Sequence, residues 1–272
     1  MNLHNIFNAL NKTDPEFFER VNSRRKIMKQ FKNIGGKLAL TAIPFALGSV
    51  LNKAYGQTPQ NIIDVLNFAL KLEYLESDFY NNAISNPSLI DATEAASFEA
   101  IRKHEAAHVN FLVATITASG GTPIAKPLFD FEAGGLYHNV FVVYATFLTV
   151  AQIFEDTGVR AYKGQAKALM SNHDVLTAAM RIHSVEGRHA AHVRKVRLNI
   201  GDSSTIKPWI TGKNPNGSGA TAEATYNGED NTVQLGINIE DISNVNNTTA
   251  TESFDEPLST EEVNAILDPF IL

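Results

Sequence analysis

The stretch Ile101-Arg-Lys-His-Glu-Ala-Ala-His-Val-Asn-Phe111 decides the fold of this chain. Its apolar residues recur with the period of an α-helix, yet the inward face that they define also carries Glu105 and His108. Side chains three residues apart are separated by about 60° around a helix and by one turn along it, so both point into the same interior. A single Glu-x-x-His of this kind is a weak indication of a metal site.

The pattern returns at Ile182-His-Ser-Val-Glu-Gly-Arg-His-Ala-Ala-His192, where Glu186 and His189 have the same spacing. Each copy follows a helical stretch with one inward glutamate, Glu73 before the first copy and Glu155 before the second. The chain therefore repeats a unit in which a helix with one glutamate precedes a helix with Glu-x-x-His. Burying these groups separately would be costly, whereas a pair of cations would offset that cost. The repeat predicts a two-metal site.

Each lone glutamate is followed seven residues later by a tyrosine. Tyr80 follows Glu73, and Tyr162 follows Glu155. Seven residues make about two helical turns, so each tyrosine lies on the same inward face as its glutamate. The duplication thus includes an aromatic residue beside each half of the predicted site.

Apolar periodicity predicts four long helices and no strand of comparable strength before residue 200. Their predicted starts are Thr58-Pro59, Asp91-x-x-Glu94, a position near Asn139, and the end of a break at 164–174. The second connection, 120–138, contains two prolines and four glycines and is long, whereas the other two are short. This pattern predicts an all-α four-helix bundle with one long crossover, covering residues 57–200.

Residues 201–272 form an acidic extension rich in Asn, Thr, Gly and Ser. A short strand is predicted within 233–239, and Ser259-x-x-Glu262 has the pattern of a capping box. Two alternatives remain open for this extension. Three aromatic residues favour packing against the bundle, whereas the polar composition favours partial disorder; the aromatic residues are Trp209, Phe254 and Phe270.

The first 56 residues are organised like an export signal. Ser23-Arg-Arg-Lys-Ile-Met-Lys29 precedes a modestly apolar run at 38–51 and the small-residue end Ala54-Tyr-Gly56. This order resembles the twin-arginine type of signal and predicts a periplasmic protein that begins near Gln57 after processing. The run is too short and interrupted for a stable membrane span. The alternative is a basic amphipathic helix at an unprocessed amino terminus.

Composition limits the partners and the metal. The formal net charge is -6, and residues 1–56 are the only basic part of the chain, which argues against a nucleic-acid partner. Cysteine is absent, so oxygen and nitrogen atoms must hold any metal. Such donors favour iron or manganese, and zinc can bind by substitution.

The six inward residues resemble the di-iron carboxylate pattern of the ferritin-like superfamily, with Tyr80 and Tyr162 matching tyrosines that accompany it. Within the superfamily, the export signal and polar extension are similar to the exported, desiccation-related proteins. The resemblance implies that Glu105 and Glu186 bridge the two metals and that Glu73 and Glu155 are terminal ligands. It also implies that His108 and His189 bind one metal each.

The resemblance also implies a function. Two iron ions, or two manganese ions, would support oxidation of ferrous iron or removal of peroxide, with dioxygen or peroxide as substrate. Tyr80 and Tyr162 would be the catalytic residues that tune the ligands or supply an electron. The alternative is a non-enzymatic protective protein of the cell envelope whose metal pair is structural. Iron storage in a cage is a weaker third interpretation, and a homo-oligomer remains open.

Access of dioxygen or peroxide to the metal site distinguishes the enzymatic function from the structural one. The chain places small residues beside the ligands, which leave either a channel for the oxidant or room for tight helix contacts; they are Ala106, Ala107, Gly158, Gly187 and Ala190. Glu76 is an alternative ligand to Glu73, but it is predicted to lie off the inward face and lacks a tyrosine seven residues later.

Other ionisable residues have open roles. His183 lies one turn before Glu186 and is either a hydrogen-bond partner of a ligand or a third nitrogen donor. His104 and His192 are predicted on the flanks of their helices. Asp78 and Asp156 are either surface residues or hydrogen-bond partners of the ligating histidines.

Overall fold

A computed structural model describes residues 60–243 and 245–272 of the chain. The predicted export signal at 1–56 and the helix start at Thr58-Pro59 lie outside the described residues. The export signal therefore stays a prediction from sequence. None of the described helices is both long and apolar enough to cross a lipid bilayer.

Four long helices form the bundle. They are α1 (Gln60–Ile84), α2 (Ala95–Ala118), α3 (Tyr144–Gln165) and α4 (His173–Asn199). Helix α1 packs mainly against α2, and α3 mainly against α4. The connections 85–94 and 166–172 are short, and 119–143 is long, so the predicted bundle with one crossover is confirmed. Two 3-10 turns lie in the connections, Ala133–Gly135 and Ala166–Leu169.

The start of α2 differs from the prediction. Asp91 and Glu94 do not form a capping box, because the Asp91 carboxylate accepts hydrogen bonds from the backbone and hydroxyl of Thr93. Glu94 already has helical backbone angles, and its side chain makes no capping bond. The aspartate therefore stabilises a turn that precedes the helix instead of the first helical turn.

Helix α3 begins at Tyr144 and not near Asn139. Asn139 has a φ of 60°, in the left-handed region that a helix cannot include, and its N–H donates to the Glu132 carboxylate. Residues 139–143 consequently form a turn that ends the crossover. The start of α4 agrees better with the prediction, because α4 begins at His173, near the end of the predicted break at 164–174. The Asn172 side chain caps this helix by accepting a hydrogen bond from the N–H of Val175.

The apolar core consists of two clusters separated along the helices. One cluster contains stacked and edge-on aromatic rings, with Phe79 in contact with Phe131, Phe147 and Phe154. The other is mainly aliphatic and includes Ile62, with Tyr162 of α3 among residues of α1, α2 and α4. On α2 and α4, the inward glutamates and histidines lie between the segments that enter these two clusters. A polar layer therefore divides the core.

The extension contains short elements: a 3-10 turn (Ala220–Tyr226), strands β1 (Val233–Gln234) and β2 (Ile237–Asn238), helices α5 (Ile239–Ser243), α6 (Asn247–Thr251) and α7 (Thr260–Leu267), and a final 3-10 turn (Asp268–Phe270). The strands pair antiparallel, with Val233 opposite Asn238 and Gln234 opposite Ile237. Both residues between the strands have positive φ, as a type I′ hairpin turn requires. The predicted capping box is confirmed, because both of its hydrogen bonds form at the start of α7.

The extension packs against α3. Phe270 lies edge-on to Phe154 at a centroid distance of 4.8 Å and is 3% exposed. A Cβ atom at Gly164 would lie 1.9 Å from the carbonyl oxygen of Leu258, so glycine permits this close backbone approach. Trp209, by contrast, is 49% exposed. The last residues of the extension therefore pack into the core beside α3, whereas Trp209 stays half exposed.

Candidate metal centre

Six side chains from the four helices converge in the polar layer. Helix α1 contributes Glu73, α2 Glu105 and His108, α3 Glu155, and α4 Glu186 and His189. All four carboxylates are fully buried, and the two imidazoles are nearly so. The helical spacing explains the convergence, since each Glu-x-x-His turns two donors toward the bundle axis.

The first group of donors surrounds His108. Its Nδ1 atom lies 3.1 Å from Glu73 Oε2, 3.1 Å from Glu105 Oε2 and 3.2 Å from Glu186 Oε1. The four donor atoms of this group lie within 4.8 Å of one another. Three carboxylates and one imidazole therefore face a common point.

The second group has the same composition and surrounds His189. Its Nδ1 atom lies 2.8 Å from Glu105 Oε1, 3.4 Å from Glu155 Oε2 and 3.3 Å from Glu186 Oε2. These donors also lie within 4.8 Å of one another. The duplication seen in the sequence thus appears in three dimensions as two equivalent groups.

The two groups share Glu105 and Glu186. Each of these carboxylates directs one oxygen toward His108 and the other toward His189. Glu73 belongs only to the first group, and Glu155 only to the second. This is the arrangement in which two metal ions would share two bridging carboxylates.

The chemistry of the donors fits metal ions. Several buried donor atoms have no hydrogen-bond partner: Glu105 Oε1, Glu155 Oε2, both carboxylate oxygens of Glu186, and His189 Nδ1. The 2.8 Å approach of His189 Nδ1 to Glu105 Oε1 lacks the alignment of a hydrogen bond. Within the described part of the chain, the ion-pair partners of these carboxylates are the two histidines alone. Oxygen and nitrogen donors that have no lysine or arginine partner in the described part of the chain are compatible with a two-metal site.

Comparison with known protein families agrees with this geometry. A family model described as a ferritin-like domain matches residues 61–199, which include the four bundle helices from Asn61 onward and all six donors. The chain belongs to the ferritin-like domain family. No curated protein sequence matches it.

Burial and mutual charge perturb the ionisable groups of the ferritin-like domain. Burial raises the pKa of Glu155 to about 7 and that of Glu105 well above its usual value. Burial also disfavours the charged form of His189, but the neighbouring carboxylates Glu155 and Glu105 outweigh it and raise its pKa to about 12. Burial also disfavours the ionised form of Glu186, but the neighbouring His108 and His189 imidazoles outweigh it and lower its pKa to about 2. Without metal, the imidazoles are the cations of the cluster.

The tyrosines connect the two halves of the domain crosswise. Tyr80 on α1 donates a 2.5 Å hydrogen bond to Glu155 Oε1 on α3. Tyr162 on α3 donates to Glu73 Oε1 on α1. Each tyrosine was predicted beside the glutamate of its own helix, but it contacts the glutamate of the other half. Because α1 and α3 pack antiparallel, the tyrosine seven residues after the glutamate of one helix lies opposite the glutamate of the other helix.

Two residues beside the donors were misjudged or missed. Glu76 is 1% exposed, so the prediction that it lies off the inward face is wrong. His104, predicted on a helix flank, stacks on His189 with an interplanar angle of 8°, and its Nδ1 atom lies 2.9 Å from His189 Nε2. It is therefore a hydrogen-bond partner of a candidate ligand. The three-residue spacing from Glu73 was the signal available for Glu76, whereas His104 had none.

Other candidates lie outside the two groups. His183 Nδ1 is 3.0 Å from the backbone carbonyl of Val159, so it is not a third nitrogen donor in either group. His192 lies 3.3 Å from Glu94. Neither alternative for Asp156 is correct, because it is buried and pairs with Arg194 and not with a ligating histidine.

Proposed function

We propose that the ferritin-like domain binds two iron ions, or alternatively two manganese ions, and catalyses an oxidation. The observation that carries this proposal is the pair of four-residue donor groups that share Glu105 and Glu186. In this proposal both ions would be held by those two residues, and one further carboxylate and one imidazole would hold each ion. Zinc can enter by substitution, because the donors do not discriminate strongly among these metals.

Charge supports a pair of cations. Four ionised carboxylates and two neutral imidazoles carry four negative charges, which two divalent ions neutralise. Such a pair, when bound, supplies electrons to dioxygen or peroxide at two adjacent centres. The carboxylates hold the ions together in a site from which bulk water is largely excluded, since all four are fully buried. Buried donors of this kind keep the ions in place without reorganisation.

Tyr80 and Tyr162 have a supporting role in this proposal. Each hydroxyl donates to a terminal carboxylate, which fixes the rotamer of that carboxylate and leaves its other oxygen for the metal. Burial strongly raises the pKa of both phenols, so they remain protonated donors. Both are also close enough to the donors to supply an electron during oxidation.

The proposed substrates are ferrous iron, as electron donor, and dioxygen or peroxide, as acceptor. We further propose that the protein acts in the periplasm after export by the twin-arginine route, which carries folded proteins. The support for export is the sequence at 23–56. A desiccation-related role is proposed on the similarity of this overall arrangement alone.

The burial of the six donors favours a second candidate function. A metal pair enclosed by four helices would stabilise the bundle without turnover, as in a protective envelope protein. In that case removal of the ions would lower stability, whereas no oxidant would be consumed. The two functions therefore differ in a measurable way.

The deciding experiment is elemental analysis of the purified protein, with consumption of dioxygen and of peroxide followed on the same sample. We expect two iron or manganese ions per chain together with turnover when ferrous iron is supplied. Two ions without turnover would establish the structural role. A protein that binds no metal after anaerobic incubation with ferrous or manganous ions would contradict both.

A further inference from the structure

A fifth carboxylate lies in the polar layer beside the four in the donor groups. Glu76 on α1 is 1% exposed, and its Oε1 atom has no hydrogen-bond partner. It belongs to neither four-residue group. No ion pair involves Glu76 within the described residues 60–243 and 245–272. A buried carboxylate without a partner is costly, so its retention inside the bundle needs an explanation.

The internal duplication shows that room is made for this residue. Glu76 follows Glu73 by three residues, and the position three residues after Glu155 is Gly158. A Cβ atom at Gly158 would lie 3.1 Å from Glu76 Oε1 and 3.9 Å from Glu186 Cγ. Glycine inside a helix is less favourable than alanine, so a glycine in the middle of α3 indicates a close approach. Here the atom that approaches Gly158 is Oε1 of the Glu76 carboxylate.

Glu76 and Gly158 occupy equivalent positions in the two halves of the duplication, so they make the two halves of the site different. The glycine leaves the space that the carboxylate occupies. When ionised beside a bound ion pair, Glu76 would add a negative charge next to Glu186, which both donor groups share. Four carboxylates match two divalent ions, whereas five match one divalent and one trivalent ion. The fifth carboxylate therefore complements the charge that the ion pair gains on oxidation.

We propose that Glu76 is a seventh ligand of the ion pair, accommodated by Gly158, and that it makes the two metal positions unequal and stabilises the oxidised state. This inference rests on the proposed metal binding. It requires Glu76 to turn its carboxylate toward a bound ion. Neither donor group includes the residue, so it adds to the six ligands and replaces none of them.

The test compares Glu76→Gln with Asp78→Asn in the full chain. Both variants remove one carboxylate from α1, but Asp78 pairs with Lys126 outside the donor groups. Iron content, iron affinity in competition with a chelator, and the midpoint potential are measured on each, with Mössbauer spectra of the iron-57 protein. For Glu76→Gln we expect two ions, about tenfold or more weaker binding of one of them, and a potential raised by about 59 mV for each tenfold shift. Asp78→Asn should match the wild type in all four measurements.

Gly158→Ala is a second variant that acts from the opposite helix and leaves Glu76 in place. Its new methyl group would press on the carboxylate, so we expect a smaller change in the same spectroscopic features. This variant keeps the inference testable if Glu76→Gln fails to fold. If wild-type protein binds two ions and both variants match Asp78→Asn, Glu76 is not a ligand, although the proposed metal centre stands. If wild-type protein binds no ions, both proposals fail together.

Discussion

Two adjacent residues on α3 lie in two different buried polar regions, and the negative charge of the carboxylates is balanced differently in each region. Glu155 belongs to the donor groups, whereas Asp156 belongs to a network between α3, α4 and the extension. In that network Arg194 donates to Asp156 at 3.0 and 2.5 Å, and the Tyr226 hydroxyl donates at 2.7 Å. We call it the arginine network.

The arginine network supplies its own cations. Arg160 is fully buried and lies 2.7 Å from the Glu229 carboxylate, and it also donates to backbone carbonyls of the extension. Arg197 donates to Gln152 and pairs with Asp202. Guanidinium groups thus meet carboxylates and carbonyls in each part of the network.

The donor groups lack such partners. Their carboxylates meet one another and two imidazoles, and several oxygens have no hydrogen-bond partner. The comparison teaches that burial of acidic residues does not by itself indicate a metal site. What distinguishes the donor groups is the absence of guanidinium and ammonium partners within the described part of the chain.

The largest effect is expected from Glu105→Ala. This change removes one oxygen from each donor group at once, so metal content should fall from two ions per chain to none. Elemental analysis after equilibration with iron measures it. Glu99→Ala on the same helix is the control, because Glu99 pairs with Arg102 on the surface. Two ions retained in Glu105→Ala would show that the donor groups are not the site.

A large effect on stability, but not on metal content, is expected from Arg194→Met. Removing one partner of a buried pair leaves Asp156 uncompensated and should lower the free energy of unfolding by about 3–5 kcal/mol. Urea unfolding measures the loss, and elemental analysis should still find two ions. Adding Asp156→Asn should restore part of the stability. If Arg194→Met instead lost its metal, the two regions would not be independent.

The pH dependence should distinguish metal-free from metal-loaded protein. The pKa values of Glu155 and His189 are raised to about 7 and about 12, so the stability that each contributes is lost as pH rises from its ordinary pKa toward the raised one. Glu186 has a lowered pKa and contributes no opposing change between pH 5 and pH 8.

Metal-free protein should therefore lose stability as pH rises across this range, by about 1.4 kcal/mol per pH unit for each proton released. Denaturant titrations at several pH values measure this slope. The slope should be smaller with metal, because the ions replace the protons. Equal slopes with and without metal would mean that the ions do not bind these groups.

The smallest effect is expected from Tyr80→Phe. The variant loses the 2.5 Å hydrogen bond to Glu155 while keeping the aromatic ring in the core. We expect two ions to remain, with unfolding free energy lower by about 1 kcal/mol. Tyr226→Phe is the matched control in the arginine network, where it removes a hydrogen bond to Asp156. If Tyr80→Phe loses metal, its hydroxyl does more than orient a carboxylate.

Much of the bundle was predictable from sequence because helical periodicity is a local property. The spacing in Glu105-x-x-His108 and Glu186-x-x-His189 placed both donors of each helix inward, and the structure brings all four together. Helix starts were less predictable. The side chain of Asp91 bonds within a turn instead of capping α2, and the two outcomes have similar sequence patterns.

The neighbours of the donors were the least predictable part of the site. His104 contacts His189 across two helices, and Glu76 is buried because Gly158 on another helix leaves space for it. The crosswise bonds of Tyr80 and Tyr162 likewise depend on which helices lie opposite each other. No spacing along a single helix contains this information.

The sequence by itself determined the four helices, the duplication and the set of six donors, because each depends on which face of a helix a residue occupies. Only the tertiary structure decided how charge is balanced in the interior. Glu155 and Asp156 are adjacent in sequence, yet one faces carboxylates and the other faces Arg194. Their surroundings come from other helices and from the extension, so the difference arises when the helices pack.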